Sequence, residues 1–147
     1  MQNIIKVVHA DDHTIVRNCF RSIFETNAPH IQVVGEASSY QELYSLLEEI
    51  SADILLLDGL IGEEFASNHL PVIRNLYPHL KILLVWVFAD TCSLTKWIHL
   101  LDGQLPMGHI NNKDIISAIT DIMRGEKRFV LPVPKPSLSR LIEALPR

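Results

Sequence analysis

The sequence predicts an α/β fold in which helices cover both faces of a five-stranded parallel sheet, a doubly wound arrangement. Short apolar runs rich in β-branched residues alternate with segments whose apolar residues recur every three or four positions. This alternation is typical of a parallel sheet with right-handed crossover connections. Acidic residues directly follow two of the apolar runs. Since open sheets of this kind bind ligands beyond the carboxyl ends of their strands, we expect the strand order 2-1-3-4-5 and a site at that edge.

The first three strands and two helices are well marked. In chain order they are a strand at 4–8, a helix at 15–24, a strand at 31–34, a helix at 40–50 and a strand at 53–57. The third strand is continuously apolar, which indicates burial on both faces.

The second half of the chain is less regular because prolines interrupt it. Pro71 lies inside a helical pattern at 65–77, and proline is tolerated in the first turn of a helix but disruptive later. We therefore expect that helix to begin near Pro71, after a long loop. The remaining elements are a strand at 81–87, a short helix at 94–101, a weak strand at 104–107 and a helix at 115–123.

Length and composition limit the class of protein. The 147 residues suit one domain at 1–128, followed by a proline-rich linker and a short tail or helix at 129–147. The net charge is −4 and no run of lysine and arginine exceeds two residues, so we expect no direct nucleic-acid binding by this chain.

No segment suggests a membrane or secreted protein. The longest apolar stretches, such as 82–89, are too short to span a membrane, and the N-terminus lacks a signal-peptide pattern. We expect a cytoplasmic protein in which Cys19 and Cys92 are reduced thiols, and a disulfide between them is the less favoured alternative.

Three aspartates follow the first and third predicted strands. Asp11 and Asp12 come after the first, and Asp58 ends the third. If those strands are parallel neighbours, the three carboxylates meet at one edge of the sheet and suit a hard cation such as Mg²⁺. Asp58 is then a candidate phosphoryl acceptor. The alternative is structural: Asp12 caps the following helix, and Asp58 forms a turn with Gly59.

Several short motifs resemble one family. They are Asp-Asp-His at 11–13, Ile-Val-Arg at 15–17, Val-Val-Gly-Glu-Ala at 33–37 and Leu-Leu-Asp at 56–58. In this order they resemble the receiver domain of bacterial two-component response regulators, which has a flavodoxin-like fold. The Asp-His and Gly-Glu-Ala motifs are similar to those of the LuxR-like (NarL-like) transcriptional subgroup. The resemblance runs from about residue 4 to residue 131.

The resemblance implies a specific site and specific partners. Asp11, Asp12, Asp58 and the backbone carbonyl of Leu60 would hold Mg²⁺, and Asp58 would accept a phosphoryl group. The partner would be a histidine kinase or another response regulator, and the domain would form a homodimer. Enzymatic activity would be limited to autophosphorylation of Asp58 from a phosphodonor.

Two family positions depart from that pattern. Trp86 stands where the family has a serine or threonine that hydrogen-bonds the phosphoryl group, and an indole cannot mimic a hydroxyl. Gly108 and His109 stand where the family has a phosphoryl-binding lysine. We therefore expect an atypical receiver that regulates by protein contact. The DNA-binding domain of the LuxR-like subgroup is also missing from this sequence, through natural truncation or because the chain is a fragment.

Two apolar surfaces are candidate interfaces, although a normal buried helix stripe explains the same spacing. Their residues are Leu94, Trp97 and Leu101 on the predicted short helix, and Ile115, Ile119 and Ile122 on the last helix. Two other functions remain open. One is a phosphorylatable receiver with an unusual pocket that controls transcription, and the other is a small phosphohydrolase-like enzyme.

Overall fold

The computed structural model describes residues 3–86, 96–107 and 111–130, in which eight strands and four helices have both ends, and residues 96–97 are also helical. The strands are β1 (Ile5–Ala10), β2 (Ile31–Ala37), β3 (Ile54–Asp58), β4 (Leu60–Ile61), β5 (Glu64–Phe65), β6 (Lys81–Trp86), β7 (Gly103–Pro106) and β8 (Arg128–Phe129). The helices are α1 (Thr14–Asn27), α2 (Tyr40–Glu49), α3 (Leu70–Leu76) and α4 (Asn112–Met123). Single 3₁₀ turns lie at Ala66–Asn68 and Ile98–Leu100.

The main sheet is parallel and has six strands in the order β2-β1-β3-β6-β7-β8. Its first five strands lie in the predicted order, but the predicted number of strands was wrong. The sixth strand, β8, pairs Arg128 with Gly103 and Phe129 with Gln104. A two-residue strand shows no periodicity in a sequence, and pairing with the sheet edge is what extends its backbone.

Strands β1 and β3 are parallel neighbours. Their register runs from Val7 opposite Ile54 to Ala10 opposite Leu57. The residues that follow both strands therefore leave the sheet at the same edge, which is the arrangement that the acidic motifs require.

Each face of the sheet carries its own apolar layer. Val8, Leu55 and Leu84 face one layer, which α2 and α3 cover. Leu56 and Leu83 face the other layer, which α1 and α4 cover. Alternate residues of a strand point to opposite faces, so continuously apolar strands serve both layers and the sheet is doubly wound.

Local signals set the helix ends. The Ser39 side chain accepts a hydrogen bond from the N–H of Glu42 at the start of α2, and Asn111 and Asp114 form a capping box at the start of α4. Pro71 lies in the first turn of α3, as predicted. Among the described residues, no helix combines the length and the apolar character that crossing a bilayer requires.

The segment after Asp58 is a folded hairpin, where the sequence suggested a long loop. β4 and β5 pair antiparallel around Gly62, whose φ of 62° lies in the region that glycine adopts without strain. The 3₁₀ turn then leads into α3.

The structure also corrects the expected apolar surfaces. Four of those side chains are at most 1% exposed because they pack inside the domain: Leu101, Ile115, Ile119 and Ile122. Trp97 is half-buried against the layer of α2 and α3. Leu94 lies outside the described residues. Leu101 and the apolar stripe of α4 therefore belong to the core.

Candidate functional site

Four side chains meet at the carboxyl edge of the sheet. Asp11, Asp12, His13 and Asp58 each offer one ligand atom, and these atoms lie within 4.8 Å of one another. The three aspartates that the sequence predicted are thus brought together, and a histidine joins them.

Backbone contacts hold the acidic pair in place. The N–H of Asp11 donates to the carbonyl of Ala37, so β2 anchors the end of β1 (3.0 Å). Arg17 Nη1 donates to the Asp11 carbonyl at 2.6 Å. The N–H of Gly62 donates to Asp12 Oδ2 at 2.9 Å, so the β4–β5 hairpin is tied to the site.

Asp58 carries the strongest electrostatic perturbation of the site. Burial and the negative charge of Asp11 raise its pKa to about 7, although a hydrogen bond from the Leu60 N–H works in the opposite direction. The carboxyl group is therefore partly protonated at neutral pH unless a positive charge joins it.

His13 is the nearest group that can carry a positive charge, and its effect is already one of those that lower the Asp58 pKa. Its Nδ1 lies 2.9 Å from Asp11 Oδ1, 3.0 Å from Asp12 Oδ1 and 3.9 Å from Asp58 Oδ2. The hydrogen bond to Asp11, together with the charge of Asp12, raises the pKa of His13. Sequence reasoning missed this residue, although its position directly after the acidic pair was a usable signal.

The donor set fits a hard divalent cation. Three carboxylates converge with too little positive charge around them, and carboxylate oxygens are the ligands that Mg²⁺ takes in proteins. A cation there would relieve the repulsion that raises the Asp58 pKa. The N–H of Leu60 points to Asp58, and a role for the Leu60 carbonyl remains a prediction.

Trp86 covers the backbone that follows Asp58. A Cβ atom built on Gly59 would lie only 2.5 Å from Trp86 Cδ2, so the indole packs directly on this glycine. The ring centroids of Trp86 and Phe65 are 6.5 Å apart, and Trp86 is 8% exposed. A large apolar ring thus closes this side of the site. Gly108 and His109 lie outside the described residues.

A polar chain links the hairpin to α2. Glu64 Oε1 lies 3.1 Å from His69 Nε2, and His69 Nδ1 lies 2.8 Å from the Tyr44 hydroxyl. The Tyr40 ring stacks on His69 with the centroids 3.6 Å apart. No sequence pattern indicated these contacts, because they join three separate elements.

Comparisons with known proteins agree with this fold. The response regulator VraR of Staphylococcus aureus is 28% identical over 125 residues, which is 85% of this chain and 59% of VraR. The chain thus spans about three-fifths of the length of the curated relatives it matches. No protein-family model matches the chain.

Solved structures match over most of the chain. The isolated receiver (REC) domain of RcsB from Salmonella enterica serovar Typhimurium, with the phosphomimetic BeF₃⁻, has a TM-score of 0.78 and 25% identity, covering 95% of this chain and 99% of that one. The non-phosphorylated receiver domain of RcsB from Escherichia coli has a TM-score of 0.79 and 22% identity, covering 88% and 100%.

Proposed function

We propose that this chain, which is a receiver domain of the response regulators of two-component systems and is related to the LuxR/NarL-like group, acts as an atypical receiver that regulates by protein contact. Asp58 stands at its phosphoacceptor position. The observation that carries the proposal is the pairing of an assembled carboxylate cluster with an indole packed on Gly59, directly beside the acceptor.

The acidic cluster supports a nucleophilic role for Asp58. Attack of a carboxylate oxygen on phosphorus needs an ionised carboxylate. Burial and the charge of Asp11 raise the pKa of Asp58, so a cation at the site would favour the reactive form. Asp11, Asp12 and Asp58 would hold Mg²⁺ between them. Bound there, Mg²⁺ would neutralise negative charge on the oxygens of the transferred group.

The surroundings of Asp58 contain few groups that could bind a phosphoryl group on its carboxylate. A phosphoryl group is held best by charge-assisted hydrogen bonds. The Trp86 indole has one N–H donor and no acceptor, and its bulk lies over Gly59. Within the described parts of the chain, no lysine or arginine nitrogen lies within 4.0 Å of these three carboxylates. We infer that phosphorylation shifts the conformational equilibrium of this domain less than it does in a typical receiver.

The relatives suggest the partners. A histidine kinase or a second response regulator would meet the carboxyl edge, in the cytoplasm, and a homodimer is the proposed assembly. RcsB is described as forming dimers bound to DNA. No run of lysine and arginine in this sequence exceeds two residues, and we propose no direct DNA binding by this chain.

A second candidate function is that of a phosphorylatable receiver controlling transcription. The complete carboxylate cluster favours it. It differs from the first in two measurable respects, the extent of phosphorylation and its coupling to assembly.

The test is incubation of the full chain with acetyl phosphate and Mg²⁺, followed by intact-mass spectrometry and light scattering. We expect little stable phosphoryl-aspartate and no change of oligomeric state. Asp58→Asn, which lacks the acceptor carboxylate, is the negative control. Trp86→Thr should raise the phosphorylated fraction, because it opens the site and restores a hydroxyl. Robust phosphorylation of the unmodified chain, coupled to dimerisation, would replace our proposal with the second candidate.

A further inference from the structure

A largely buried histidine joins three elements of the fold near the carboxyl edge. The His69 side chain is 17% exposed and directly precedes α3. Its Nε2 lies 3.1 Å from Glu64 Oε1 on β5, and its Nδ1 lies 2.8 Å from the Tyr44 hydroxyl on α2. The Tyr40 ring, one turn earlier on α2, stacks on the imidazole with an angle of 9° between the planes. The imidazole is therefore fixed in position and orientation between α2 and the β4–β5 hairpin.

Both ring nitrogens of His69 have a partner in either protonation state. In the neutral ring, Nε2–H donates to the Glu64 carboxylate and Nδ1 accepts the Tyr44 hydroxyl proton. In the protonated ring both nitrogens donate, one to the carboxylate and one to the phenol oxygen. Gain or loss of the imidazole proton therefore leaves both connections in place. A hydrogen bond that ends on a carboxylate is also of the stronger kind.

The hairpin that carries Glu64 supplies two backbone donors to the acidic site. The N–H of Leu60 donates to the Asp58 carboxylate, and the N–H of Gly62 donates to Asp12 Oδ2 at 2.9 Å. The strands β4 and β5 are two residues long, and a hairpin of that size is not stable by itself in water. Contacts from outside the hairpin must therefore hold it, and His69 supplies one of them.

We propose that Glu64, His69 and Tyr44 form a latch, which holds the β4–β5 hairpin against α2 and so positions the backbone donors of the hairpin at the acidic site. His69 is thus a positioning residue, acting through the hairpin. The latch deepens the proposed function and rests on it only for the role of Asp58, because it names the side chains that set the backbone beside the phosphoacceptor position.

Two other roles for these contacts give different results. If the bonds merely satisfy polar groups on the surface of α2, their loss leaves the hairpin as well held as before. If the stack on Tyr40 alone holds the imidazole, the Tyr44 hydroxyl is dispensable. Only a latch predicts that removing the Tyr44 hydroxyl, on α2, loosens hydrogen bonds that Leu60 and Gly62 make on the hairpin.

The experiment is amide hydrogen exchange of the full chain, followed by NMR, with the N–H groups of Leu60 and Gly62 as reporters. The latch variants are Tyr44→Phe and Glu64→Ala, the second because the Glu64 side chain is 58% exposed and its loss leaves the core intact. Glu64→Gln keeps an acceptor oxygen for Nε2–H and tests rescue. Tyr40→Phe is the matched control, because the Tyr40 hydroxyl is buried and has no hydrogen-bond partner among the described residues.

We expect Tyr44→Phe and Glu64→Ala to accelerate exchange of both reporter amides about tenfold, while the amides of β3 stay protected as in the parent. Tyr40→Phe and Glu64→Gln should exchange within about twofold of the parent. If Tyr44→Phe also removes the protection of β3, that variant has unfolded globally, and the surface variant Glu64→Ala decides.

Three results would overturn the proposal. The first is unchanged exchange of the reporter amides in the latch variants. The second is equal acceleration in Tyr40→Phe, which keeps both bonds of the latch. The third is free exchange of the Leu60 and Gly62 amides in the parent, because the hairpin would then not be held.

These readouts are independent of phosphorylation. If acetyl phosphate modifies Asp58 efficiently, the atypical-receiver proposal fails while the latch stands. If the latch variants leave the hairpin amides unchanged and Asp58 stays largely unmodified, the inference about His69 fails and the proposed function stands.

Discussion

Two largely buried carboxylates lie at opposite edges of the same sheet and differ in the charged groups that surround them. Asp58 ends β3 at the carboxyl edge, and Asp102 precedes β7 at the amino edge. Their side chains are 14% and 9% exposed. Asp102 accepts hydrogen bonds from Arg74 Nη2 at 3.1 Å, Lys127 Nζ at 3.0 Å and the buried N–H of Ile82 at 2.9 Å.

The two pKa values move in opposite directions. Burial by itself raises the pKa of Asp102, but the N–H of Ile82 and the Lys127 ammonium more than offset it, so the value lies below the ordinary range. Burial and neighbouring negative charge raise the pKa of Asp58 to about 7. Partners, and not burial alone, thus decide whether a buried carboxylate stabilises the fold or opposes it.

The largest effect should come from removing the compensated carboxylate. Asp102→Ala leaves the Ile82 N–H without its acceptor and three basic side chains without their anion, so we expect a loss of about 3 kcal/mol in the free energy of unfolding at pH 7. Urea denaturation followed by circular dichroism measures it. Because the folded pKa lies below the unfolded one, the difference between the two proteins should shrink as the pH falls below about 4.

Asp121→Ala is the matched control for that variant. Asp121 pairs with Arg128 near the surface, and such a pair contributes less than about 1 kcal/mol. If Asp102→Ala and Asp121→Ala lower the free energy of unfolding equally, the buried ion pair contributes no more to stability than the exposed one, and the prediction is wrong.

A smaller effect of opposite sign should follow removal of the uncompensated carboxylate. Asp58→Asn, measured in metal-free buffer at pH 8, should raise the free energy of unfolding by about 2 kcal/mol, because burial and then the charges of Asp11 and Asp12 disfavour the ionised carboxylate. An acid whose pKa rises on folding costs stability as pH rises from about 4 to about 7. The gain should therefore vanish near pH 4 and be complete above pH 7.

Adding Mg²⁺ tests the same destabilising effect of the Asp58 carboxylate in a second way. Mg²⁺ at millimolar concentration should stabilise the unmodified chain more than Asp58→Asn, because binding to the folded state alone adds to its stability. An Asp58→Asn variant that is less stable than the parent at pH 8 without metal would show that Asp58 is already compensated.

The smallest effect concerns the indole that buries the carboxyl edge. Gly59→Ala places a Cβ 2.5 Å from Trp86 Cδ2, and we expect a loss of about 1 kcal/mol as the ring shifts. In a Trp86→Leu background the same change should be nearly neutral, so a double-mutant cycle isolates the contact. An equal penalty in both backgrounds would mean that Trp86 does not press on Gly59.

Sequence reasoning succeeded where a local pattern had a single structural meaning. Continuous apolar strands, helical spacing and Pro71 in the first turn of α3 led to the observed element order. It failed for β8 and for the β4–β5 hairpin, whose strands are two residues long. Elements of that size form because a sheet edge or a tight turn holds them, and no window of sequence contains that information.

The apolar stripe of α4 shows the same limit. Ile115, Ile119 and Ile122 have a spacing that suits either a buried face or an exposed interface. Packing against the sheet decided for the buried face, where each is at most 1% exposed. Spacing identifies the residues on one face of a helix but does not identify what covers that face.

The sequence by itself determined that Asp11, Asp12 and Asp58 follow parallel strands, since strand order and chain direction place residues at a sheet edge. Only the tertiary structure decided what surrounds them: the His13 imidazole among the carboxylates, the Gly62 N–H on Asp12 and the Trp86 indole on Gly59. The reason is physical. Residues that end parallel strands lie at the same edge of the sheet, because backbone hydrogen bonds align those strands in one direction. A pKa or a set of metal ligands depends instead on distances of a few ångströms between side chains that are far apart in the chain.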